Sequence, residues 1–333
     1  MAPTRYPHAV AIVVGVDLGG TKVQSALVQS RKVIGQGRVR TPSGGADEVV
    51  EAILGTIDIA LGESKAKRSD ISAVGIGFPG QFDASSGDTL GAVNLKGFQE
   101  RYPLSRKISK AIAGAPVVLD NDVRAALLGE YQLGSGRGFK NLLGIFVGTG
   151  VGGGLVLEGK VRHGRGASGE VGHTVVMDRG LECGCGRLGC LEAYAGRGRM
   201  EVRARQMVEK GEKTILFEIM KKKDRDRLTS GVFAAALDAD DRMARRLIDD
   251  AVWALGISLA SVQNILDLEA IIVGGGLGDR LGAPFVKRVA EAMQPHLFIS
   301  QNPPELLTTT LGDLSGAVGA ALLAAGEGLE VSS

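Results

Sequence analysis

The amino-acid sequence predicts an α/β fold in which one strand-and-helix unit occurs twice. Three strands, a helix, a strand, a helix and a strand are predicted in that order up to residue 120, and a similar pattern restarts near residue 141. Several of the predicted strands end in glycine-rich loops, and ligands of open α/β sheets bind at such strand ends. The chain of 333 residues is also long enough to form two lobes, each with its own core.

The elements of the first half follow from the spacing of apolar residues. A β-branched run over residues 10–18 is typical of a fully buried strand, and the alternation after it predicts two further strands of a meander, over 22–29 and 32–40. Apolar residues then recur at helical spacing over about 46–62. The remaining elements predicted here are a strand over 71–78, a helix over about 103–113, a strand over 116–120 and a helix from Asp122 to about 133.

The second half begins with two predicted strands, 141–148 and 153–158, which a glycine loop joins. Helices follow, and the longest covers about 240–266. Its apolar residues step by three or four along the chain, which indicates one buried stripe. The stripe consists of Met243, Leu247, Ala251, Leu255, Leu259, Val262 and Leu266. The last predicted elements are a strand over 270–274, a helix, a short strand near 306–310 and a final helix from about 314.

Composition argues against several classes of protein. A hydrophobic fraction of 44% and a charged fraction of 23% are typical of a globular protein, and a net charge of +2 is too small for a nucleic-acid-binding surface. No apolar run approaches the ~20 residues that a membrane span needs. We therefore expect no nucleic-acid partner and no membrane partner. The clustered cysteines favour a reducing compartment, and hence a cytoplasmic location.

The stretch from 170 to 192 holds all three cysteines of the chain and one of its four histidines. Cys183, Cys185, Cys190 and His173 supply the three thiolates and the imidazole of a tetrahedral zinc site. Free cysteines can instead pack as small apolar residues, but all three lie within eight positions. A redox pair is disfavoured, because the spacing is not C-x-x-C and a disulfide would leave one thiol unpaired. Four protein ligands leave no open position for catalysis, so the sequence predicts a structural zinc.

Two glycine-rich hairpin loops are candidates for phosphate binding. Backbone N–H groups on such turns can cradle an anion, although glycine serves simple hairpin turns equally well. Asp17 favours the phosphate hypothesis, because a carboxylate at the end of a buried strand is costly unless it serves a cation such as Mg²⁺. A dinucleotide-binding fold is disfavoured, because a strand rather than a helix follows the second loop. The first loop covers 19–22, which is Gly19, Gly20, Thr21 and Lys22, and the second covers 148–152 and begins with Gly148, Thr149 and Gly150.

Asp122 follows a predicted buried strand and begins a predicted helix. Aspartate is favoured as a helix N-cap, but Asp120 and Asn121 could serve that purpose too. Three such residues in a row exceed what a cap needs. A second interpretation is a general base that accepts the proton of an attacking hydroxyl. The residues alone leave both interpretations open.

Taken together, these motifs resemble the ROK family (repressors, open reading frames and sugar kinases), from Gly15 to the last helix. The most specific part is E-x-G-H…C-x-C-G-x-x-G-C-x-E, which is matched from Glu170 to Glu192. The resemblance implies a two-lobed actin-like ATPase (ribonuclease H-like) fold with a duplicated βββαβαβα unit. It also implies a small domain over 1–121, joined by the C-terminal helix 314–333, and a large domain over 122–313.

The resemblance further implies roles for individual residues. Asp122 is expected to be the catalytic base. Sugar contacts are expected from Gly80, Asn94, Asn121, Asp122, Glu170, His173 and Glu192. Nucleotide contacts are expected from Asp17, Gly19, Gly20, Thr21, Lys22, Gly148, Thr149, Gly150, Gly275 and Gly276. Two residues depart from the family pattern: Arg124 stands where a second asparagine is usual, and Phe98 where a tryptophan is usual.

The implied activity is that of a glucokinase-like ATP:hexose 6-phosphotransferase. ATP, Mg²⁺ and a structural Zn²⁺ are the expected cofactors, glucose is the expected hexose, and a homodimer is the expected assembly. Kinases for fructose, mannose or an N-acetylhexosamine are alternatives, as is a polyphosphate donor. A sugar-responsive transcriptional regulator of the same family is disfavoured, because the 14 residues before Gly15 are too few for a helix-turn-helix.

Overall fold

A computed structural model describes residues 11–92 and 95–326 of the chain. The chain folds into two compact units. The first unit runs to Gly138 and resumes at Asp313, whereas the second comprises Phe139–Gly312. Each unit is built around a five-stranded sheet.

Both units contain strands and helices. The strands are β1 (Ile12–Leu18), β2 (Lys22–Gln29), β3 (Lys32–Arg40), β4 (Ile71–Phe78), β5 (Gln81–Asp83), β6 (Asp88–Gly91), β7 (Val117–Asn121), β8 (Leu142–Val147), β9 (Val151–Leu157), β10 (Lys160–Val161), β11 (Ala270–Gly274) and β12 (Glu305–Thr308). The helices are α1 (Ala46–Ser64), α2 (Leu104–Ala111), α3 (Asp122–Leu133), α4 (Leu191–Ala195), α5 (Arg197–Glu209), α6 (Leu216–Lys222), α7 (Ser230–Asp238), α8 (Arg242–Leu266), α9 (Gly275–Met293) and α10 (Ser315–Ala324). The hairpin of β5 and β6 was not predicted, because its strands are too short to show a clear alternation.

The two sheets have the same strand order and the same strand directions. The order is β3-β2-β1-β4-β7 in the first unit and β10-β9-β8-β11-β12 in the second. In each sheet the first three strands in chain order form an antiparallel meander. The other two strands run parallel to the first strand of the meander, which is β1 in one sheet and β8 in the other. The α/β fold class and the duplicated unit predicted from the sequence are therefore confirmed.

The boundary between the two compact units lies after Gly138. Helix α3 belongs to the first unit because it packs against α10. Glycine allows the close approach of these two helices, since a Cβ on Gly319 would lie 1.6 Å from the carbonyl oxygen of Ala125. Every residue of α10 is buried, so both helices form part of the first core. Residues 327–333 of the predicted C-terminal helix lie outside the described residues.

The predicted stripe of α8 forms part of the core of the second unit. Its first five residues, from Met243 to Leu259, are buried. Val262 and Leu266 are partly buried and pack against the same core. Within residues 11–92 and 95–326, no helix combines the length and the apolar character that a membrane span requires.

Candidate functional site

The turn from β7 into α3 carries the predicted catalytic base. Asn121 is the N-cap of the helix, because its Oδ1 accepts the N–H groups of Val123 at 3.1 Å and Arg124 at 3.2 Å. Asp122 is the first helical residue, and its Oδ1 accepts the N–H of Val123 at 3.0 Å. The helix dipole stabilises a carboxylate at this end. The capping role that the sequence left open for Asp122 is therefore filled by Asn121.

Arg124, one of the two departures from the family pattern, points inward rather than to solvent. Its side chain and that of Asp120 are both 8% exposed, with Arg124 Nη2 lying 2.7 Å from Asp120 Oδ1. The same oxygen accepts Arg124 Nε–H at 2.8 Å and the backbone N–H of Asn121 at 2.7 Å. A buried ion pair thus holds the backbone immediately before Asp122.

Phe98, the second departure, is a core residue. Its ring is fully buried and lies 5.6 Å from the ring of Phe78 and 5.3 Å from that of Tyr102, measured between centroids. Gly80 lies in the same unit, where a Cβ would come within 2.3 Å of the carbonyl oxygen of Gly91. Asn94, a predicted sugar contact, lies outside the described residues.

The first glycine loop joins β1 to β2 beside a part-buried carboxylate. The N–H of Gly19 donates to the carbonyl oxygen of Lys22 at 3.0 Å, which closes the turn. Burial raises the pKa of Asp17, and the charge of Lys22, with Nζ 4.0 Å from Asp17 Oδ2, opposes that shift. Lys22 Nζ also lies 3.0 Å from Asp313 Oδ1. A further cation would compensate the burial of Asp17, so this carboxylate suits Mg²⁺.

The second glycine loop joins β8 to β9 and is bonded to the start of α5. The N–H of Gly148 donates to the carbonyl oxygen of Gly150 at 2.8 Å. The N–H of Arg197 donates to Gly148 O at 3.1 Å, and that of Gly198 to Thr149 O at 2.9 Å. The first turn of α5 therefore sets the conformation of this loop.

Glu192 connects the second glycine loop to the cysteine loop. Its Oε2 accepts the N–H of Val151 at 2.9 Å, and its Oε1 lies 3.6 Å from Cys183 Sγ. A Cβ on Gly150 would lie 2.4 Å from Glu192 Oε2, so glycine leaves the space that this carboxylate occupies. A residue predicted to bind sugar is therefore also in contact with a predicted phosphate loop.

Gly275 and Gly276 begin α9 at the end of β11. Gly275 has a φ of +78°, and a Cβ there would lie 2.7 Å from the backbone nitrogen of Val147. Only glycine meets both conditions without strain. Val147 ends β8, the strand beside β11, and leads into the second glycine loop. The predicted nucleotide contacts of the second unit thus lie at neighbouring strand ends.

The four predicted zinc ligands converge within the second unit. The candidate ligand atoms of His173, Cys183, Cys185 and Cys190 all lie within 4.8 Å of one another. Cys185 Sγ and Cys190 Sγ are 3.8 Å apart, as are Cys183 Sγ and His173 Nδ1. In a tetrahedral zinc site with Zn–S bonds of about 2.3 Å, two sulfurs lie about 3.8 Å apart. A disulfide requires about 2.05 Å, so the spacing fits a metal and not a disulfide.

The cysteine loop is held by its own backbone. Gly189 has a φ of +78°, and a Cβ there would lie 1.8 Å from the carbonyl oxygen of Met177, so no other residue fits. Burial raises the pKa of the Cys183 thiol to about 12, whereas a hydrogen bond with Arg187 lowers the pKa of the Cys185 thiol to about 6. A bound cation would keep all of these sulfurs in the thiolate form.

Glu170 precedes a single 3₁₀ turn over Val171–His173, and His173 is the last residue of that turn. Glu170 is exposed, and its carbonyl oxygen accepts the N–H of His173 at 3.0 Å. The Nδ1 atom of His173 faces Cys183, which leaves Nε2 on the other edge of the ring. An imidazole that binds a metal through Nδ1 carries its proton on Nε2 and can donate it to a hydroxyl. His173 can therefore serve zinc and a sugar at once.

Comparison with known proteins identifies the family. The ROK family profile matches residues 13–327. The chain belongs to the ROK family. It is 34% identical to a glucokinase from Halalkalibacterium halodurans over 92% of each chain. It is 31% identical to an N-acetylmannosamine kinase from Haemophilus influenzae over 92% of this chain and 93% of that protein.

A solved structure of a ROK family member supports the same assignment. The ROK family glucokinase from Streptomyces griseus, in complex with glucose and AMPPNP, has a TM-score of 0.80 and 32% identity, and the similarity covers 94% of this chain and 99% of that one. The predicted ROK membership and the two-lobed actin-like ATPase fold are therefore confirmed. Within the ROK pattern, the two departures of this chain are explained as a buried ion pair and a core aromatic ring.

Proposed function

We propose that this ROK family member is an ATP-dependent hexose kinase that phosphorylates the 6-hydroxyl of glucose, with Asp122 as the general base. The observation that carries the proposal is the turn before α3. Because Asn121 caps the helix, the carboxylate of Asp122 is not required for capping. Similarity to glucokinases over nine-tenths of the chain supports glucose as the acceptor. The AMPPNP in the Streptomyces griseus structure supports a nucleotide donor.

In this proposal the chain binds and orients the sugar and the phosphates, and it removes a proton from the attacking hydroxyl. Asp122 takes the proton of the attacking hydroxyl, a contribution worth roughly 10²–10⁴ in rate. The N–H groups of the two glycine loops position the phosphates, and Gly275 and Gly276 contact the adenosine. Asp17 would hold Mg²⁺, which neutralises phosphate charge when bound. Positioning and charge neutralisation account for most of the catalysis of phosphoryl transfer.

The structural zinc would act indirectly on the sugar. His173, Cys183, Cys185 and Cys190 would hold it, and the ordered loop would then present Glu170, His173 Nε2 and Glu192 to sugar hydroxyls. Gly80, Asn94 and Asn121 complete the proposed sugar contacts. Since Asn121 Oδ1 serves the cap of α3, its NH₂ group is the part that can donate to the sugar.

The proposed kinase acts in the cytoplasm as a homodimer. Three cysteines without disulfides suit a reducing compartment. The second unit exposes large apolar side chains at Ile265, Phe298 and Ile299, which are 79%, 89% and 57% exposed. Phe298 N–H donates to Asn264 Oδ1 at 2.9 Å, so the segments that carry these side chains lie next to each other. Apolar surface of this kind marks interaction sites more often than isolated apolar residues do.

A coupled turnover assay with a panel of sugars tests the proposed substrate. Glucose, mannose, fructose, N-acetylglucosamine and N-acetylmannosamine are compared with ATP as donor. We expect glucose to have the highest kcat/KM. The N-acetylmannosamine kinase relative makes that sugar the second candidate, and a preference for it would contradict the assignment of glucose. Absence of turnover with every sugar would refute the proposed kinase.

Replacement of Asp122 tests the proposed base. Asp122→Asn should keep the fold and the affinity for sugar but lose at least about two decades of kcat, because a general base contributes roughly 10²–10⁴. The matched control is Glu51→Gln, which removes an exposed carboxylate from α1 of the same unit. Turnover of Asp122→Asn close to that of the control would sink the assignment.

A further inference from the structure

The second unit contains a cavity of about 320 Å³ beside the second glycine loop. Thr149 of that loop forms one part of its wall, and Arg197 and Glu201 of α5 form another. Asp226, Arg227 and Leu228 form a further part of the lining. No residue of this wall other than Thr149 was predicted from the sequence to bind a ligand.

Arg197, which lines this cavity, does not use all of its side-chain hydrogen-bond donors within the described residues. Its Nη2 donates to Thr149 Oγ1 at 3.3 Å, and its Nη1 donates to the carbonyl oxygen of Leu228 at 3.3 Å. Its Nε is buried and has no hydrogen-bond partner among the described residues. Buried donors in native proteins are nearly always paired, so an unpaired one calls for an acceptor from outside the protein.

The wall of the cavity carries two guanidinium groups, those of Arg197 and Arg227, and two carboxylates, those of Glu201 and Asp226. Burial lowers the pKa of the Arg197 guanidinium, and the like charge of Arg227 lowers it further. Glu201 opposes that shift, and both of its oxygens accept hydrogen bonds from other groups. Oε2 accepts the N–H of Leu228 at 2.7 Å, and Oε1 accepts Arg205 Nη2–H at 2.5 Å. Two guanidinium groups in one cavity repel each other less when an anion binds there.

We propose that Arg197, together with Arg227, forms a subsite for a phosphate group of the phosphoryl donor. The inference rests on the proposed kinase activity, since the donor is then a chain of phosphates. A guanidinium presents its N–H groups in a fork that matches the oxygens of a phosphate. The same guanidinium bonds Thr149, so an occupied subsite would also order the second glycine loop. The chemistry is that of an oligophosphate, carried either by a nucleotide or by inorganic polyphosphate.

Calorimetric titration of the full chain tests the subsite without turnover. The probes are ADP and inorganic tripolyphosphate, each with Mg²⁺, and the variants are Arg197→Gln and Arg197→Lys. Loss of a charge-assisted hydrogen bond should weaken binding of a probe by about 10- to 100-fold in Arg197→Gln. Arg197→Lys keeps the charge without the fork and should lose less. Arg245→Gln, which removes an exposed arginine of α8, is the matched control and should bind like the wild type.

The outcomes separate the sources of the phosphate and the two proposals. Weakening for both probes assigns the subsite to the phosphate chain itself, and weakening for ADP alone assigns it to nucleotides.

A smaller salt dependence of Kd in Arg197→Gln is also expected, which a purely structural role would not produce. The expected weakening is at least about 10-fold, so affinities of Arg197→Gln within about twofold of the wild type for both probes would overturn the subsite. Should Arg197→Gln fail to fold, Arg227→Gln is measured against the same criteria. A wild type that binds both probes but phosphorylates no sugar would refute the kinase while leaving the subsite supported.

Discussion

The buried pair of Arg124 and Asp120 is expected to stabilise the turn that carries Asp122. Asp120 Oδ1 accepts two N–H groups of Arg124, at 2.8 and 2.7 Å, and the N–H of Asn121 at 2.7 Å. Both side chains are 8% exposed, so water cannot replace either partner easily. Arg124→Ala would leave a buried carboxylate without its cation. Removal of one partner of such a pair costs about 3–5 kcal/mol.

This cost should be measurable as a change in melting temperature. For a unit of this size, each kcal/mol lowers the melting temperature by about 2–4 °C, so Arg124→Ala should melt about 6–20 °C below the wild type. Its kcat should fall as well, because the backbone N–H of Asn121 binds the same carboxylate. The double variant Asp120→Asn/Arg124→Gln removes both charges. It should recover more than half of the lost stability, since no charge is then left buried and unpaired.

Thermal melts followed by circular dichroism, together with glucose turnover of the same samples, provide the assay. A melting temperature of Arg124→Ala within about 2 °C of the wild type would show that the pair contributes little. A double variant as unstable as Arg124→Ala would attribute the loss to packing of the arginine stem, not to the unpaired charge. Either result would refute the reasoning above.

Further predictions concern the zinc, the sugar contacts and the assembly. Protein purified without added metal should contain about one zinc per chain. Cys185→Ser should lose that zinc and most of the kinase activity, while its far-UV circular dichroism stays close to that of the wild type. Full activity of that zinc-free variant would show that kinase activity does not require the metal. Glu192→Gln and Glu170→Gln should raise KM for the sugar and lower kcat, because each removes a charged acceptor. An unchanged KM for every hexose would place both carboxylates outside the site. Light scattering at micromolar concentration should give the mass of a homodimer, which a monomeric mass would contradict.

The sequence by itself determined the features that depend on local spacing. Alternation and helical periodicity predicted β2, β3, β4, α3 and β11 with bounds that agree with the structure. The convergence of the four candidate zinc ligands was also predictable, because three of them lie within eight positions and a tight loop must bring them together. Membership of the ROK family followed from the same local motifs.

Only the structure decided which residue caps α3 and which residues far apart in the chain are joined. Hydrogen bonds within the turn showed that Asn121, and not Asp122, caps α3. The close approach of Gly319 to Ala125 placed α3 in the first unit, which no local pattern could reveal. Arg197 lies 48 positions from Thr149, and its side chain reaches the second glycine loop only in the folded chain. Such contacts depend on which helix faces pack together, and apolar spacing along one helix does not specify its partner.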